Sequence, residues 1–160
     1  MNTFHEMYER YSKDVYRYAC WLCGNAYDAD DITSETFARA WVGRSEIRTE
    51  TVKGYLFAIA RNYYLKQLRH DKRQIDLTPH HADPQAVPEK LVESRLELTR
   101  AMQKVQSLPE VDRTAFLLRV QHELSYEEIS RVMQLPLATV KVKIHRARLK
   151  IAALEIGENK

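Results

Sequence analysis

The sequence of 160 residues has only four glycines and two cysteines. So few glycines argue against a loop-rich fold, and two cysteines are too few to hold a small protein together by disulfides. No apolar run reaches the roughly 18 residues that a membrane-spanning helix needs, and the N-terminal segment lacks the apolar core of a secretory signal peptide. We therefore expect a nearly all-helical, soluble protein of the cytoplasm.

The residue sets that common enzymes require are also missing. We find no Ser/His/Asp set, no glycine-rich phosphate loop and no metal-ligand spacing. Cys20 and Cys23 have C-x-x-C spacing, but no second pair completes a zinc site. Two buried thiols are favoured, with a redox switch as the open alternative. The sequence thus predicts no enzyme, no cofactor, no metal and no small-molecule substrate.

The strongest pattern lies in residues 124–151, which read as two helices with a tight break between them. Ser125 is a good N-cap, and Glu128 three residues later completes a capping box. Pro136 disfavours a helical residue before it and so ends the first helix. A second helix begins at about Leu137. This arrangement predicts a helix-turn-helix.

The second of these helices has one apolar and one basic side. Its apolar residues Val140, Ile144, Ala147 and Ile151 recur at helical spacing. A basic face on a surface helix is usually only solvated. Here, however, no acidic residue interrupts the cations, and nearby small apolar side chains suit base edges and thymine methyl groups. The pattern favours DNA binding.

Three more helical segments precede a linker. Residues 4–23 carry an apolar stripe, residues 28–43 place aspartates in a first helical turn, and residues 55–74 mix aromatic side chains with cations. Such a mixture suits single-stranded nucleic acid, because bases stack on rings while cations hold phosphates. Residues 44–54 are interpreted as a loop that Gly54 closes. Tyr64 is placed on the basic side of the helix that follows.

A proline-rich stretch separates this half from a second helical block. Residues 76–89 hold three prolines and no aromatic residue, which is typical of a linker. The adjacent His80 and His81 within it are interpreted as incidental rather than metal-binding. The block beyond runs through residues 91–108 and a helix that opens with Pro109 at its first position.

Four stretches together resemble the extracytoplasmic-function group of bacterial RNA polymerase sigma factors, the smallest sigma-70 type. DADDITSETFARAW resembles that group's polymerase-docking helix, and GYLFAIARNYYLKQLR resembles its helix for melting and reading the −10 promoter element. LPEVDRTAFLLRVQHELSYEEIS and PLATVKVKIHRARLKI resemble its −35-reading domain. The resemblance spans nearly the whole chain. The order and spacing of the four stretches make it specific.

The resemblance implies an all-α fold of two small helical domains. Residues 1–75 would form a sigma-2-like domain, residues 76–90 a flexible linker, and residues 91–160 a sigma-4-like domain that ends in the helix-turn-helix. It also implies the function of an alternative sigma factor, which binds core RNA polymerase, directs it to promoter DNA and helps to open the −10 element. The implied inhibitory partner is an anti-sigma factor, in this family often membrane-anchored.

The resemblance also assigns residues to each surface. Core polymerase binding falls to Asp31, Ser34, Glu35, Phe37 and Arg39. Binding of −10 DNA falls to Arg61, Asn62, Lys66, Arg69, Lys72 and Arg73, with a pocket for an unstacked base in the 44–54 loop. Binding of −35 DNA falls to Ala138, Thr139, Lys141, Val142 and His145 near bases, and to Lys143, Arg146, Arg148 and Lys150 on phosphates.

The chain departs from the family pattern in three places. Ser34 stands where a glutamine is usual, and Lys66 stands where an aspartate is usual, so the −10 helix is more basic than is typical. Leu137 and Ala138 replace a more frequent pair of a small residue and glycine. The −35 sequence preference of relatives therefore does not transfer to this chain.

The main competitor is a DNA-binding repressor with a helical dimerisation domain. Such a repressor would explain the helix-turn-helix. It would not explain a second basic and aromatic helix, or a proline-rich segment between two DNA-facing blocks. Transcription with purified core polymerase discriminates the two classes, because only a sigma factor adds new specific transcripts.

Overall fold

The computed structural model describes residues 3–47, 52–73 and 92–158, and within them no side chains of 72–73, 92–95 or 156–158. These residues are predominantly helical and include no strand, as predicted. The first half has helices α1 (Phe4–Cys23), α2 (Ala26–Val42) and α3 (Val52–Arg73), with a 3-10 turn at Arg44–Glu46. The second half has α4 (Val92–Gln106), α5 (Glu110–Phe116), a π-helical segment (Leu117–Gln121), α6 (Tyr126–Met133) and α7 (Leu137–Glu158).

The junction of α1 and α2 is set by Gly24 and Asn25. Gly24 adopts φ 85°, and its N–H donates to the carbonyl of Cys20, which closes α1 as an αL cap. Asn25 belongs to the next helix. Its side chain accepts a hydrogen bond from the N–H of Asp28, so Asn25 is the N-cap of α2, which begins at Ala26.

The start of α3 differs from the prediction. The helix begins at Val52, so Gly54 lies inside its first turn and does not close a loop. A β-carbon added at Gly54 would lie 3.3 Å from Cγ2 of Val132 in α6. This glycine therefore permits the close approach of two helices. Of the predicted loop with its base pocket, residues 48–51 lie outside the described part of the chain.

The helix-turn-helix forms as the sequence predicts. Ser125 Oγ accepts from the N–H of Glu128, and the Glu128 carboxylate accepts in return from the N–H of Ser125. Gln134 adopts φ 54° and caps α6, which ends at Met133, just ahead of the predicted end. Pro109 is the N-cap of α5 and not its first helical residue. The predicted start of α7 at Leu137 is confirmed.

The two halves share one hydrophobic core. Tyr18, Leu22 and Phe57 of the first half belong to the same buried cluster as Leu118 and Ile129 of the second. The contacts between the halves join α1 to α4, α5 and the π-helical segment, and α3 to α6. Residues 74–91, including His80, His81 and most of the predicted linker, lie outside the described residues.

No described helix is long and apolar enough to cross a membrane. Among the same residues, no group of three or more His, Cys, Asp or Glu side chains could hold a metal ion.

Candidate nucleic-acid interface

Helix α7 presents the mixed basic and apolar face that the sequence assigned to −35 DNA. Val140, Ile144 and Ala147 are buried against the rest of the second half, as expected from their spacing. The outward face carries the exposed side chains of Ala138, Lys141, Val142, His145, Arg146, Arg148 and Lys150. Thr139 and Lys143 are half-buried. Val142 is 53% exposed, so its apolar side chain is accessible on this face.

A buried carboxylate on α5 orients two of these cations. Asp112 is 4% exposed. Its Oδ1 lies 3.5 Å from Nζ of Lys143, and its Oδ2 lies 3.8 Å from Nε of Arg146. A buried carboxylate without a cation would be costly, so this pairing fixes α5 against α7. Lys143 therefore has a structural role beside the phosphate contact that the sequence assigned to it.

The ring of Tyr126 lies close to two cations, one of which is Lys141 of α7. The guanidinium of Arg119 lies 4.6 Å from the centroid of its ring, and Nζ of Lys141 lies 5.7 Å from the same centroid. Two cations over one aromatic ring are held by the negative potential of the ring face. The ring of Tyr126 thus orients the long side chain of Lys141 in the protein alone. No local pattern predicts this contact, because residues 119, 126 and 141 lie on different elements.

The outward face of α3 carries part of the set assigned to −10 DNA. Asn62, Lys66 and Arg69 are exposed and lie on the same side of the helix at a spacing of one turn. Lys72 and Arg73 lie in the last turn of α3, but their side chains are outside the described residues. Asn62, Lys66 and Arg69 form a short polar and basic strip suited to a nucleic-acid backbone.

Arg61 faces a different direction. Its Nε donates to Oε1 of Glu110 at 2.8 Å, and its Nη2 donates to Oε2 at 3.0 Å. The two side chains are 12% and 17% exposed. Burial by itself lowers the pKa of Arg61, and the hydrogen bonds and charge of Glu110 outweigh it, so that this pKa is raised. The structure therefore separates Arg61 from the exposed strip and pairs it with the second half.

Tyr64 was expected among the outward aromatic residues of α3, and this expectation is wrong. Tyr64 is buried, and its hydroxyl accepts a hydrogen bond from Nη1 of Arg113 at 3.1 Å. The same Nη1 donates to the carbonyl of Leu22, and Nη2 donates to the carbonyls of Gln106 and Leu108. Sequence reasoning missed Arg113, because its partners Leu22 and Tyr64 lie far from it along the chain.

The surface assigned to polymerase docking is a connected network on α2. The hydroxyl of Tyr63 in α3 donates to Oδ2 of Asp31 at 2.6 Å. Arg39 Nε donates to Oε1 of Glu35 at 3.0 Å, and the Arg39 guanidinium lies 5.2 Å from the centroid of the Tyr63 ring. Ser34 is exposed beside them. The acidic groups of this surface, Asp31 and Glu35, are therefore held in place by Tyr63 and Arg39.

Phe37 was assigned to the same surface, and the structure corrects this assignment. Phe37 is only 4% exposed. Its ring packs edge-on against Tyr8 at a centroid distance of 4.9 Å and against Phe4 at 6.4 Å. The residue faces the core because it lies on the same side of α2 as Ala40, three positions later, which is also buried. Phe37 thus lies beneath the surface that was assigned to docking and not on it.

The two cysteines are half-buried near the end of α1. Cys23 Sγ donates to the carbonyl of Asn25 at 3.2 Å. Burial raises the pKa of the Cys20 thiol, and burial raises the pKa of the Cys23 thiol to about 11. Thiolates are the reactive form of cysteine. Both thiols therefore stay protonated at neutral pH, as inert structural cysteines do.

The fold and these surfaces define a class of protein: an all-helical DNA-binding protein with a helix-turn-helix at its C-terminal end and a second basic helix in its N-terminal half. Comparison with known families narrows the class. Residues 7–74 match the family described as Sigma-70 region 2, and residues 98–151 match that described as Sigma-70, region 4.

Individual relatives agree with these matches. The chain is 31% identical over 157 residues to the ECF RNA polymerase sigma factor SigM of Bacillus subtilis, covering 95% of this chain and 94% of SigM. It is 30% identical over 161 residues to SigW of the same organism, covering 92% and 86% of the two chains. Among solved structures, the sigma factor RpoE from Bartonella quintana has a similar fold, with a TM-score of 0.78, 20% identity, and coverage of 94% and 95%.

The chain therefore belongs to the extracytoplasmic-function sigma factors of the sigma-70 family. Sigma factors are transcription initiation factors, and this one is an alternative sigma factor that directs RNA polymerase to promoters.

Proposed function

We propose that α7 reads the −35 element of the promoter in the major groove. The observation that carries this proposal is the exposed face of α7, where small apolar side chains and cations stand together on a helix-turn-helix. Ala138, Thr139, Lys141, Val142 and His145 meet base edges. Lys143, Arg146, Arg148 and Lys150 meet phosphates. Phosphate contacts position the helix, while base contacts specify the sequence.

The exposed strip on α3 binds the opened −10 element. Asn62, Lys66 and Arg69 hold the backbone of the separated strand, with Lys72 and Arg73 extending the strip. Arg61 joins them once it is released from Glu110. Moving one base out of the stack costs a few kcal/mol, which contacts of this kind offset.

The acidic network on α2 docks core polymerase. Asp31, Ser34, Glu35 and Arg39 form the contact, and Tyr63 and Phe37 support it from inside the fold. Because Asp31 and Glu35 are already oriented by Tyr63 and Arg39, little side-chain freedom is lost on binding. We expect a cationic surface on the polymerase opposite them.

Each half of the chain has its own function. Residues 1–75 act as the sigma-2-like domain, residues 76–90 as the linker and residues 91–160 as the sigma-4-like domain. The protein is an adaptor without catalytic chemistry of its own. It acts in the cytoplasm, where it brings core polymerase to promoter DNA.

An anti-sigma factor restrains the protein when its promoters are not needed. The sigma factor RpoE of Bartonella quintana, whose fold this chain shares, has been solved in complex with the anti-sigma factor NepR. In this chain the polymerase-docking residues Asp31 and Ser34 and the outward face of α7 are exposed together. A partner that covers both surfaces would block polymerase and promoter at once.

Transcription in a purified system tests the proposal. Core polymerase is combined with a library of promoter-like templates, with and without the full chain. We expect new, specific transcripts only when the chain is present. Repression of transcripts that core polymerase or another sigma factor already makes would favour the repressor alternative instead.

A further inference from the structure

We propose that, without polymerase or DNA, the chain is held in a closed state in which Glu110 occupies the place of a DNA phosphate on Arg61. The closed state is the arrangement in which α4, α5 and α6 pack against α1 and α3. We call the Arg61–Glu110 pair the latch. The inference rests on the proposed function, because the latch restrains DNA binding only if α3 holds the −10 strand.

The geometry of the latch resembles that of a phosphate contact. A guanidinium presents its N–H groups as a planar fork that matches two oxygens of either a carboxylate or a phosphate. Both oxygens of Glu110 are engaged, at 2.8 and 3.0 Å, and Oε1 also accepts from the hydroxyl of Thr114 at 2.9 Å. While the latch is formed, the Nε and Nη2 edge of Arg61 is therefore occupied by Glu110, and the side chain is only 12% exposed.

A second set of contacts closes the same interface at the end of α1. The amide Nε2 of Gln106 donates to the carbonyl of Trp21 at 2.6 Å and to that of Leu22 at 3.0 Å. Arg113 Nη1 donates to the carbonyl of Leu22 at 2.8 Å. The last carbonyls of a helix have no partner within the helix itself. The second half supplies those partners here, so closure completes the C-terminal end of α1.

Gly24 leaves room for the side chain of Gln106 at this interface. A β-carbon added there would lie 3.1 Å from Cδ of Gln106, which is tighter than an ordinary contact. At the other end of the interface, Gly54 allows α3 to approach Val132 of α6. Lys53 Nζ also donates to the carbonyl of His122 at 3.1 Å. The closed state is therefore supported by polar contacts and by close approach at both ends.

The closed state is too small to occupy a whole promoter. The −10 and −35 elements are, by their names, centred about 25 base pairs apart, which is on the order of 80 Å at 3.4 Å per base pair. A compact chain of this length has a radius of gyration of about 15 Å and a diameter of about 40 Å. Binding both elements therefore requires the halves to separate, and separation breaks the latch and frees Arg61.

The closed state does not cover every functional surface. Asn62, Lys66 and Arg69 stay exposed on α3, and the outward face of α7 stays exposed as well. The latch should accordingly weaken binding of single-stranded DNA by α3 while leaving binding of duplex DNA by α7 unchanged. This difference between two DNA probes makes the proposal testable without polymerase.

The test uses Glu110→Gln and Gln106→Ala in the full chain. The first variant removes the charge of the latch. The second removes an interface contact without changing charge. The matched controls are Glu97→Gln and Gln103→Ala, because both residues are exposed on α4 and no contact with the first half is seen for either side chain. Small-angle X-ray scattering measures the radius of gyration of each protein.

DNA binding is measured with two labelled probes at low salt: an oligothymidine of about 12 nucleotides, within the range that single-strand sites cover, and a random-sequence duplex. We expect both test variants to expand and to bind the oligothymidine about tenfold more tightly, because apparent affinity rises with the fraction of the competent state. The two controls should match the wild type, and duplex binding should be equal for all five proteins.

Three outcomes would overturn the proposal. One is a wild-type chain that is already as expanded as the variants. Another is unchanged oligothymidine binding by the two expanded variants. The third is tighter binding by Glu110→Gln alone without expansion, which would assign the gain to the lost negative charge. The transcription assay tests the proposed function separately from the latch. If the variants expand but no promoter-dependent transcript is made, the proposed function is contradicted and the latch is not.

Discussion

The ring of His122 lies 4.7 Å, between centroids, from the ring of Phe57, and the two residues belong to opposite halves of the chain. Tyr18 of α1 packs edge-on against the same imidazole at 6.0 Å. His122 is therefore buried by the first half. Burial lowers its pKa, with further lowering by the charges of Lys53 and Arg17, from 6.5 to about 3.

This contact predicts that acid opens the closed state. The closed state binds His122 in its neutral form, while separation of the halves restores a pKa near 6.5. The stabilisation is therefore complete above about pH 6.5 and is lost at about 1.4 kcal/mol per pH unit below it. Lowering the pH from 7.5 to 5.5 should shift the equilibrium about tenfold toward the open form, measured as an increase in the radius of gyration.

Two variants check the source of this pH response. His122→Phe keeps a ring between Phe57 and Tyr18 but cannot titrate, so its radius of gyration should be constant between pH 7.5 and 5.5. His145→Gln removes an exposed histidine of α7 and should respond as the wild type does. An equal response in all three proteins would show that another group is the sensor.

The second prediction concerns polymerase docking. Charge reversal of both Asp31 and Glu35 to lysine should weaken binding to core polymerase, because the two carboxylates are the acidic groups of the network on α2. Asp31 also accepts from Tyr63 and Glu35 accepts from Arg39, so the double variant loses two internal hydrogen bonds, of which the one from Tyr63 is worth about 1 kcal/mol of stability. Tyr63→Phe keeps both carboxylates and loses this hydrogen bond together with the one that Tyr63 accepts from Gln67, so it should retain binding in a pull-down. Normal binding by the double variant would remove the docking assignment.

The third prediction separates positioning from sequence reading on α7. Arg146→Ala should weaken binding to every duplex and reduce the salt dependence by about one phosphate contact. Lys141→Ala should change which −35 bases are preferred, at about 1–3 kcal/mol for a good base contact. A selection from random duplexes compares both variants with the wild type. If Lys141→Ala selects the wild-type bases, Lys141 does not read the sequence.

The fourth prediction concerns the structural role of Lys143. Its removal leaves the buried carboxylate of Asp112 with only the more distant Arg146, at 3.8 Å. Lys143→Ala should therefore lower the free energy of unfolding by about 1–2 kcal/mol, the cost of leaving a buried polar group poorly paired. Arg148→Ala removes an exposed cation from the same helix and should change it by less than about 0.5 kcal/mol. Urea denaturation measures both.

The contrast between local and distant contacts explains what the sequence could predict. The capping box of Ser125 and Glu128 and the apolar spacing of α7 were predicted correctly, because each depends on residues within a few positions of one another. The burial of Tyr64 by Arg113 and the pairing of Arg61 with Glu110 were missed, because each joins residues 49 positions apart. The role of Gly54 was predicted wrongly for the same reason, since the atom that leaves little room for a β-carbon there belongs to Val132.

The last prediction concerns the inhibitory partner. The closed state hides Arg61 but leaves Asp31, Ser34 and the outward face of α7 exposed, so the latch alone cannot keep the chain from polymerase. A groove of about 270 Å³ lies where α3 meets α6, lined by Gly54, Tyr55, Ala58, Glu128, Arg131 and Val132. Its lining is largely apolar, which suits the apolar side of a partner helix.

We expect the anti-sigma factor to engage this groove and to hold the halves together. The test is purification of the chain from its native cells grown without stress. A stoichiometric inhibitor should co-purify with the wild type. It should be lost from Ala58→Glu, which places a charge in the groove, but not from Glu127→Gln, an exposed position outside it. Recovery of the wild type only as free protein or polymerase complex would contradict the prediction and point to control by abundance.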